Sequence, residues 1–204
     1  MSSQNINIDS WDRKSSFNLF SSIHDPVFSL GIRIHVPTNF VKKLKDKKIK
    51  PFNAILFSVS IACNKIENFR YRLAKNNTVQ LFDVISPCWV EMDKRAQLSL
   101  KTCEHADNFS TFMDNLTKSK SIEIDSSYAH GPYISTSTQP WFDLTSLTNI
   151  KYSHEDSICK LIWGKIEGDS FYLDVEVNHK FVDGYHISLL KAEIERVLAD
   201  LLTQ

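Results

Sequence analysis

The chain has 204 residues, with 24 basic and 24 acidic side chains, so its formal net charge is zero. That balance excludes a dominant electrostatic grip on nucleic acid or on an anionic membrane. Hydrophobic residues at 42% and charged residues at 24% describe a globular chain that buries a core without covalent staples. Only five Gly and six Pro are present, which argues against linkers and disorder. At roughly 100–200 residues per domain, one domain over residues 1–204 is expected.

The first ten residues are polar and lack the basic start and apolar run of a signal peptide. The longest uncharged apolar run, Ala54 to Cys63, is about ten residues, half of the roughly 20 that span a bilayer. Cys63, Cys88, Cys103 and Cys159 lie far apart, with no C-x-x-C spacing. Four reduced, buried thiols are the reading adopted; two disulfides are the alternative. These features together predict a cytoplasmic protein with no membrane or nucleic-acid partner.

Trp11 to Ser22 carries apolar residues at helical spacing. Leu30, Ile32, Ile34 and Val36 alternate with polar or small residues, which predicts a half-buried strand. Lys42 to Lys50 holds six Lys in nine positions, either a phosphate-binding patch or a solvated helix end. Phe52 to Ile66 is apolar nearly all round and predicts a central buried helix. A strand pair is expected at Thr78 to Phe82 and Cys88 to Met92, with Ser86-Pro87 as a turn or bulge. Asn108 to Thr117 predicts an amphipathic helix, and Tyr133 to Thr138 a strand ended by Pro140. Ile158 to Ile166 and Phe171 to Asn178 predict a hairpin around Glu167-Gly168-Asp169. The outward face of its second arm, Tyr172, Asp174, Glu176 and Asn178, suits a polar interface or solvent. Ile187, Leu190, Ile194, Val197, Leu198 and Leu201 follow the i, i+3, i+4 rule of a C-terminal helix. The fold class expected is α+β, a two-layer α/β sandwich with a mixed sheet and helices packed on one side.

Chemistry concentrates at Val177-Asn178-His179-Lys180-Phe181-Val182-Asp183-Gly184, where a strand meets a helix. His179 stands at the strand end and Asp183 at the helix start, where an Asp caps. A satisfied structural His and a plain cap would explain both residues equally well. The other His residues have no partners at metal spacing, so no metal site is expected.

The spacing His-x-x-x-Asp-Gly resembles the signature of the chloramphenicol acetyltransferase family, shared with the acyltransferase domains of 2-oxo acid dehydrogenase complexes. Further blocks are similar to that family in the same order. They are Trp11-Asp12-Arg13-Lys14 with Phe17, Phe69-Arg70-Tyr71-Arg72, Phe82-Asp83-Val84-Ile85-Ser86-Pro87 and Ser137-Thr138-Gln139-Pro140-Trp141. The resemblance runs over essentially the whole chain.

The resemblance implies an acetyl-CoA-dependent O-acetyltransferase acting on the 3-hydroxyl of chloramphenicol, an antibiotic-resistance activity. It implies His179 as general base, with its second ring nitrogen held by the residue's own backbone carbonyl. Ser137 would stabilise the oxyanion. Arg13 and Asp183 would form a structural ion pair across the fold. Trp141, Lys165 and Phe52 would lie along acetyl-CoA, and Phe20 and Leu19 along the acceptor. The resemblance also implies a homotrimer with active sites between subunits.

Asn178, Val182, Ile162, Phe20 and Phe52 depart from the family's usual residues, and several of them touch acceptor recognition. The alternatives are the same fold acetylating another small hydroxylated or amine acceptor, and a non-catalytic binding paralogue. A dehydrogenase-complex core is disfavoured, since the chain carries no lipoyl domain or Ala/Pro-rich linker.

Overall fold

The computed structural model describes residues 2–74, 78–123, 128–151 and 156–203. Ten strands and five α-helices alternate irregularly along these residues. Most of the strands form a seven-stranded mixed sheet in the order β2-β10-β9-β8-β5-β6-β7. Its members are β2 (Val27–His35), β5 (Ser86–Met92), β6 (Leu98–Thr102), β7 (Lys120–Ile122), β8 (Tyr133–Gln139), β9 (Lys160–Gly164) and β10 (Ser170–Asn178). The contacts β5–β8 and β8–β9 are parallel and the others antiparallel. A second sheet of β1 (Ser3–Ile6), β4 (Val79–Phe82) and β3 (Tyr71–Leu73) runs in the order β1-β4-β3. The five helices are α1 (Lys14–Ser21), α2 (Phe40–Asp46), α3 (Pro51–Lys65), α4 (Phe109–Thr117) and α5 (Gly184–Thr203).

The mixed sheet with helices is the architecture expected from the sequence. On β10 the alternation is strict: Phe171, Leu173, Val175 and Val177 join one buried cluster with Ile187, Leu190, Ile194 and Leu198 of α5. Helix α3 lies in the same core and is buried nearly all round, which explains its continuous apolar run. The hairpin turns at Gly168, whose φ of 58° is left-handed and favours glycine.

Three expectations change. The strands at 79–82 and 86–92 do not pair, for β4 lies in the small sheet and β5 in the large one. Ser86 and Pro87 are not a turn but the first residues of β5, in parallel register with Tyr133 and Ile134. The outward face of β10, expected at a polar interface or in solvent, does not meet solvent: Tyr172, Asp174, Glu176 and Asn178 are all buried within the chain. Tyr172 lies over Gly31, Asp174 meets Asn149, Glu176 meets Lys160 and Asn178 meets the Asp156 carbonyl, non-local contacts that period-two alternation does not encode. All four cysteines are free and buried.

Gly31 sits opposite Asp174 in the middle of β2 because the Tyr172 ring lies over it. A Cβ there would stand 1.9 Å from the Tyr172 hydroxyl oxygen and 2.5 Å from its ring carbon. Gly31→Ala therefore displaces a buried ring and is expected to cost about 1–3 kcal/mol. Urea unfolding checks this, and an unchanged midpoint would contradict it.

Candidate active site

The loop from β10 into α5 is organised by its own backbone. The amides of Phe181 and Val182 both donate to the Asn178 carbonyl, at 3.0 and 3.1 Å. That turn brings the Val182 carbonyl back to His179, whose Nδ1 lies 3.0 Å from it. A carbonyl only accepts, so Nδ1 carries a proton, and in the neutral tautomer this fixes, the lone pair is on Nε2. Among the described residues Nε2 has no hydrogen-bond partner.

This corrects the expected partner. Nδ1 is held by Val182, not by the carbonyl of His179 itself, which instead accepts from Arg13 Nη2 at 3.2 Å. The geometric outcome is the same, Nδ1–H tied back to a carbonyl and Nε2 left facing outward. Its ring is clamped between Phe20, stacked at 3.9 Å, and Phe28, stacked at 4.5 Å. Phe20, expected along the acceptor, thus orients the imidazole. Phe28 was missed, although extending the Leu30, Ile32, Ile34 alternation back two residues finds it. Leu19, beside Phe20 on α1, is exposed.

Arg13 fastens this loop to the N-terminal segment. Its Nε donates to the Lys180 carbonyl at 2.8 Å and its Nη1 reaches Asp183 Oδ2 at 3.2 Å. Asp183 also caps α5, accepting from the Tyr185 amide at 3.0 Å. Burial raises its carboxyl, but Arg13 and the neighbouring His186 outweigh that and hold it below the usual carboxylate range. The pair is less buried than expected, since the Asp183 side chain is 36% exposed.

Arg13→Ala, which removes three charge-assisted bonds, is expected to cost about 2–3 kcal/mol. Asp183→Asn keeps a capping oxygen and is expected to cost only about 0.5–1 kcal/mol. Because the folded carboxyl titrates low, its contribution is present at neutral pH and disappears as pH falls through that depressed value. The gap between wild type and Asp183→Asn should therefore close in acid. Denaturant unfolding at pH 7 and pH 3 checks both statements; equal costs for the two variants at pH 7 would contradict the first, and a gap between wild type and Asp183→Asn no narrower at pH 3 than at pH 7 the second.

Ser137 lies on β8, opposite Ile162 of β9. It borders a cleft of about 390 Å³ whose walls include Leu98, Leu147, Ile150 and Ile162, with Asn149 and Lys160 as polar members. Lys160 contacts Asp156 at 2.8 Å and Glu176 at 3.0 Å, all three nearly buried. Burial opposes its charge, but these carboxylates outweigh that and hold the ammonium above its ordinary pKa. Behind the cleft, burial pushes the Asp174 carboxyl up, and a hydrogen bond from Asn149 counters it.

His179 and Ser137 are not brought together within one chain. Ser137 pairs with Ile162, and Ile162 with Asp174, so His179 lies two strands over and five residues further along β10. At about 3.3 Å per residue and 4.8 Å per strand, the two are roughly 19 Å apart.

Phe52 and Lys165 share the sheet end near Ser137. Phe52, in the first turn of α3, packs 5.8 Å from Trp163, which precedes Gly164 and Lys165. Lys165 is exposed and pairs with Glu167 at 2.7 Å. Trp141 is 67% exposed and sits edge-on to Phe142, also exposed. Among the described residues no cluster of three His, Cys, Asp or Glu is grouped for metal binding. No helix among them is long and apolar enough to cross a membrane.

The fold is that of acyltransferase catalytic domains. A solved dihydrolipoamide acetyltransferase of Azotobacter vinelandii superposes with a TM-score of 0.63, covering 93% of this chain and 87% of that one at 10% identity. A solved chloramphenicol acetyltransferase superposes with a TM-score of 0.85, covering 97% of this chain and all of the other at 24% identity. The chloramphenicol acetyltransferase family model matches residues 1–195, so the chain belongs to that family. Curated relatives include the chloramphenicol acetyltransferase of Campylobacter coli, 24% identical over 212 residues, spanning 95% of this chain and 97% of the relative. That of Staphylococcus aureus is 23% identical over 205 residues, spanning 95% and 94%.

Proposed function

We propose that the protein is a cytoplasmic chloramphenicol O-acetyltransferase, one catalytic domain over residues 1–204, working as a homotrimer. The observation that carries this reading is His179, with Nδ1–H fixed on the Val182 carbonyl and Nε2 unpartnered among the described residues. Family membership supports acetyl-CoA as donor and chloramphenicol as acceptor.

Nε2 takes the proton of the acceptor's 3-hydroxyl as its oxygen attacks the thioester carbonyl. The tetrahedral oxyanion accepts a hydrogen bond from the Ser137 hydroxyl. Collapse expels the CoA thiolate, which takes the proton back from the imidazolium. Phe52, Trp141 and Lys165 line the donor's path, and the cleft beside Ser137 takes the acceptor.

The distance between Ser137 and His179 supports a site shared by two chains. Leu98, 69% exposed, and Ile150, 80% exposed, leave the rim of the cleft open to an apolar cover. In a closed trimer one heterologous contact repeats three times, bringing a neighbour's His179 to each cleft.

The test is thiol release from acetyl-CoA with chloramphenicol, alongside light scattering. Acetylation of chloramphenicol at three chain masses is expected. Full activity from a monomer would overturn the shared site, and no thiol release with any acceptor would overturn the activity. Lys160, a cation lining the cleft and held by Asp156 and Glu176, favours, as a second reading, another small hydroxylated or amine acceptor, which a panel of such acceptors in the same assay separates.

A further inference from the structure

Residues 140–151 leave the end of β8 and run back over the outward face of the sheet as an irregular strap. The Phe142 carbonyl accepts from the Lys165 amide at 2.9 Å. Gly164 leaves room for this crossing, since a Cβ there would meet the Phe142 carbonyl oxygen at 3.0 Å and the Leu144 side chain at 3.1 Å. Arg33 stands 4.0 Å from Asp143, and Lys151 pairs with Asp25, both pairs more than a third exposed. Exposed pairs of this kind hold little.

The buried tether is different. Asn149 Nδ2 donates to Asp174 Oδ2 at 2.9 Å, and Ser29 Oγ donates to Oδ1 at 3.4 Å. Asp174 is 2% exposed, in the middle of β10. A buried carboxylate met by two neutral donors is costly, and an apolar side chain on that face would be cheaper. What the carboxylate does there is hold Asn149. Asn149 and its neighbours Leu147, Thr148 and Ile150 line the same cleft as Ser137.

We propose that Asp174 is a positioning residue for the acceptor: through Asn149 it latches the strap so that residues 147–150 form a fixed wall of the cleft beside Ser137. This rests on the reading that the cleft takes the acceptor. The donor end, at Phe52, Trp141 and Lys165, lies at the other end of the strap, where the Lys165 amide holds it through the Phe142 carbonyl whether or not the latch is closed. The latch therefore acts on acceptor binding and leaves donor binding alone.

Steady-state kinetics of the full chain test this with chloramphenicol and acetyl-CoA varied separately. Asp174→Ala removes the oxygen that Asn149 needs, and the acceptor KM is expected to rise about tenfold, the worth of one charge-assisted hydrogen bond. The donor KM should stay within about twofold, since only acceptor binding is lost. Asp174→Asn keeps an accepting oxygen and is expected to restore the acceptor KM. Asn149→Ala, on the strap, should match Asp174→Ala, and the double variant should add nothing further.

If Asp174→Ala fails to fold, Asn149→Ala carries the same test. An unchanged acceptor KM in the folded variants, or equal shifts for donor and acceptor, would overturn the latch. If wild type releases no thiol with any acceptor, the activity reading fails by itself. Hydrogen exchange then still decides the latch: amides 142–150 should exchange faster in Asn149→Ala than in wild type, and equal rates would overturn it.

Discussion

His179→Ala is expected to lower kcat for chloramphenicol acetylation by at least 10²–10⁴, the range a positioned general base supplies. The structure explains why no other group replaces it. The ring is fixed on both faces by Phe20 and Phe28, and its Nδ1 by the Val182 carbonyl, so Nε2 has one direction to point. His186 is not a substitute, because burial pushes its pKa down and its Nδ1 lies 2.9 Å from Asp183. Losing the stacked ring also costs stability, on the order of 0.5–1.5 kcal/mol for such a contact. His179→Gln, which fills more of the space, separates the two effects: stability should recover and activity should not. A His179→Ala enzyme retaining about a tenth of wild-type rate would remove His179 from the chemistry.

The second large effect is expected at Ser137→Ala, a fall in kcat of about 10²–10³ with both KM values close to wild type. The hydroxyl contributes only when negative charge develops on the thioester oxygen, so the ground-state complexes should not register its loss. The substitution deletes one oxygen from a strand residue that is not in the core, so unfolding midpoints should barely move. A KM effect without a kcat effect would make Ser137 an acceptor-binding residue instead.

The helices and the β9–β10 hairpin were legible because their signals are local. Periodicity found α5, and the Asp at its start does cap it. Alternation found β10 and its buried face, and the near-continuous apolar run found α3. Partner identity is not local. Nothing in 79–82 or 86–92 says that the two strands belong to different sheets, and the parallel ladder of β5, β8 and β9 joins segments up to about 70 residues apart in the chain. Strand β1, four mostly exposed residues, carries no hydrophobic pattern to read.

The same limit governs the site. His179 and Asp183 stood out by spacing, and Ser137, Arg13 and the donor-side residues by resemblance. The Val182 carbonyl, the Phe28 ring and the Asp174–Asn149 contact depend on how distant backbone folds back, which no spacing encodes. The outward face of Tyr172, Asp174, Glu176 and Asn178 suits solvent by polarity alone, but polarity is a poor guide where a strap brings its own hydrogen-bond donors.

In a shared site His179 and Ser137 would act on one acceptor from two different chains. Mixing the His179→Ala and Ser137→Ala variants, unfolding them together and refolding tests it directly. Each variant alone should be nearly inactive. In randomly mixed trimers about a quarter of the interfaces would pair an intact His179 with a neighbour's intact Ser137, so roughly a quarter of wild-type activity should return. Activity in the mixture no greater than the average of the two variants refolded alone would contradict a shared site.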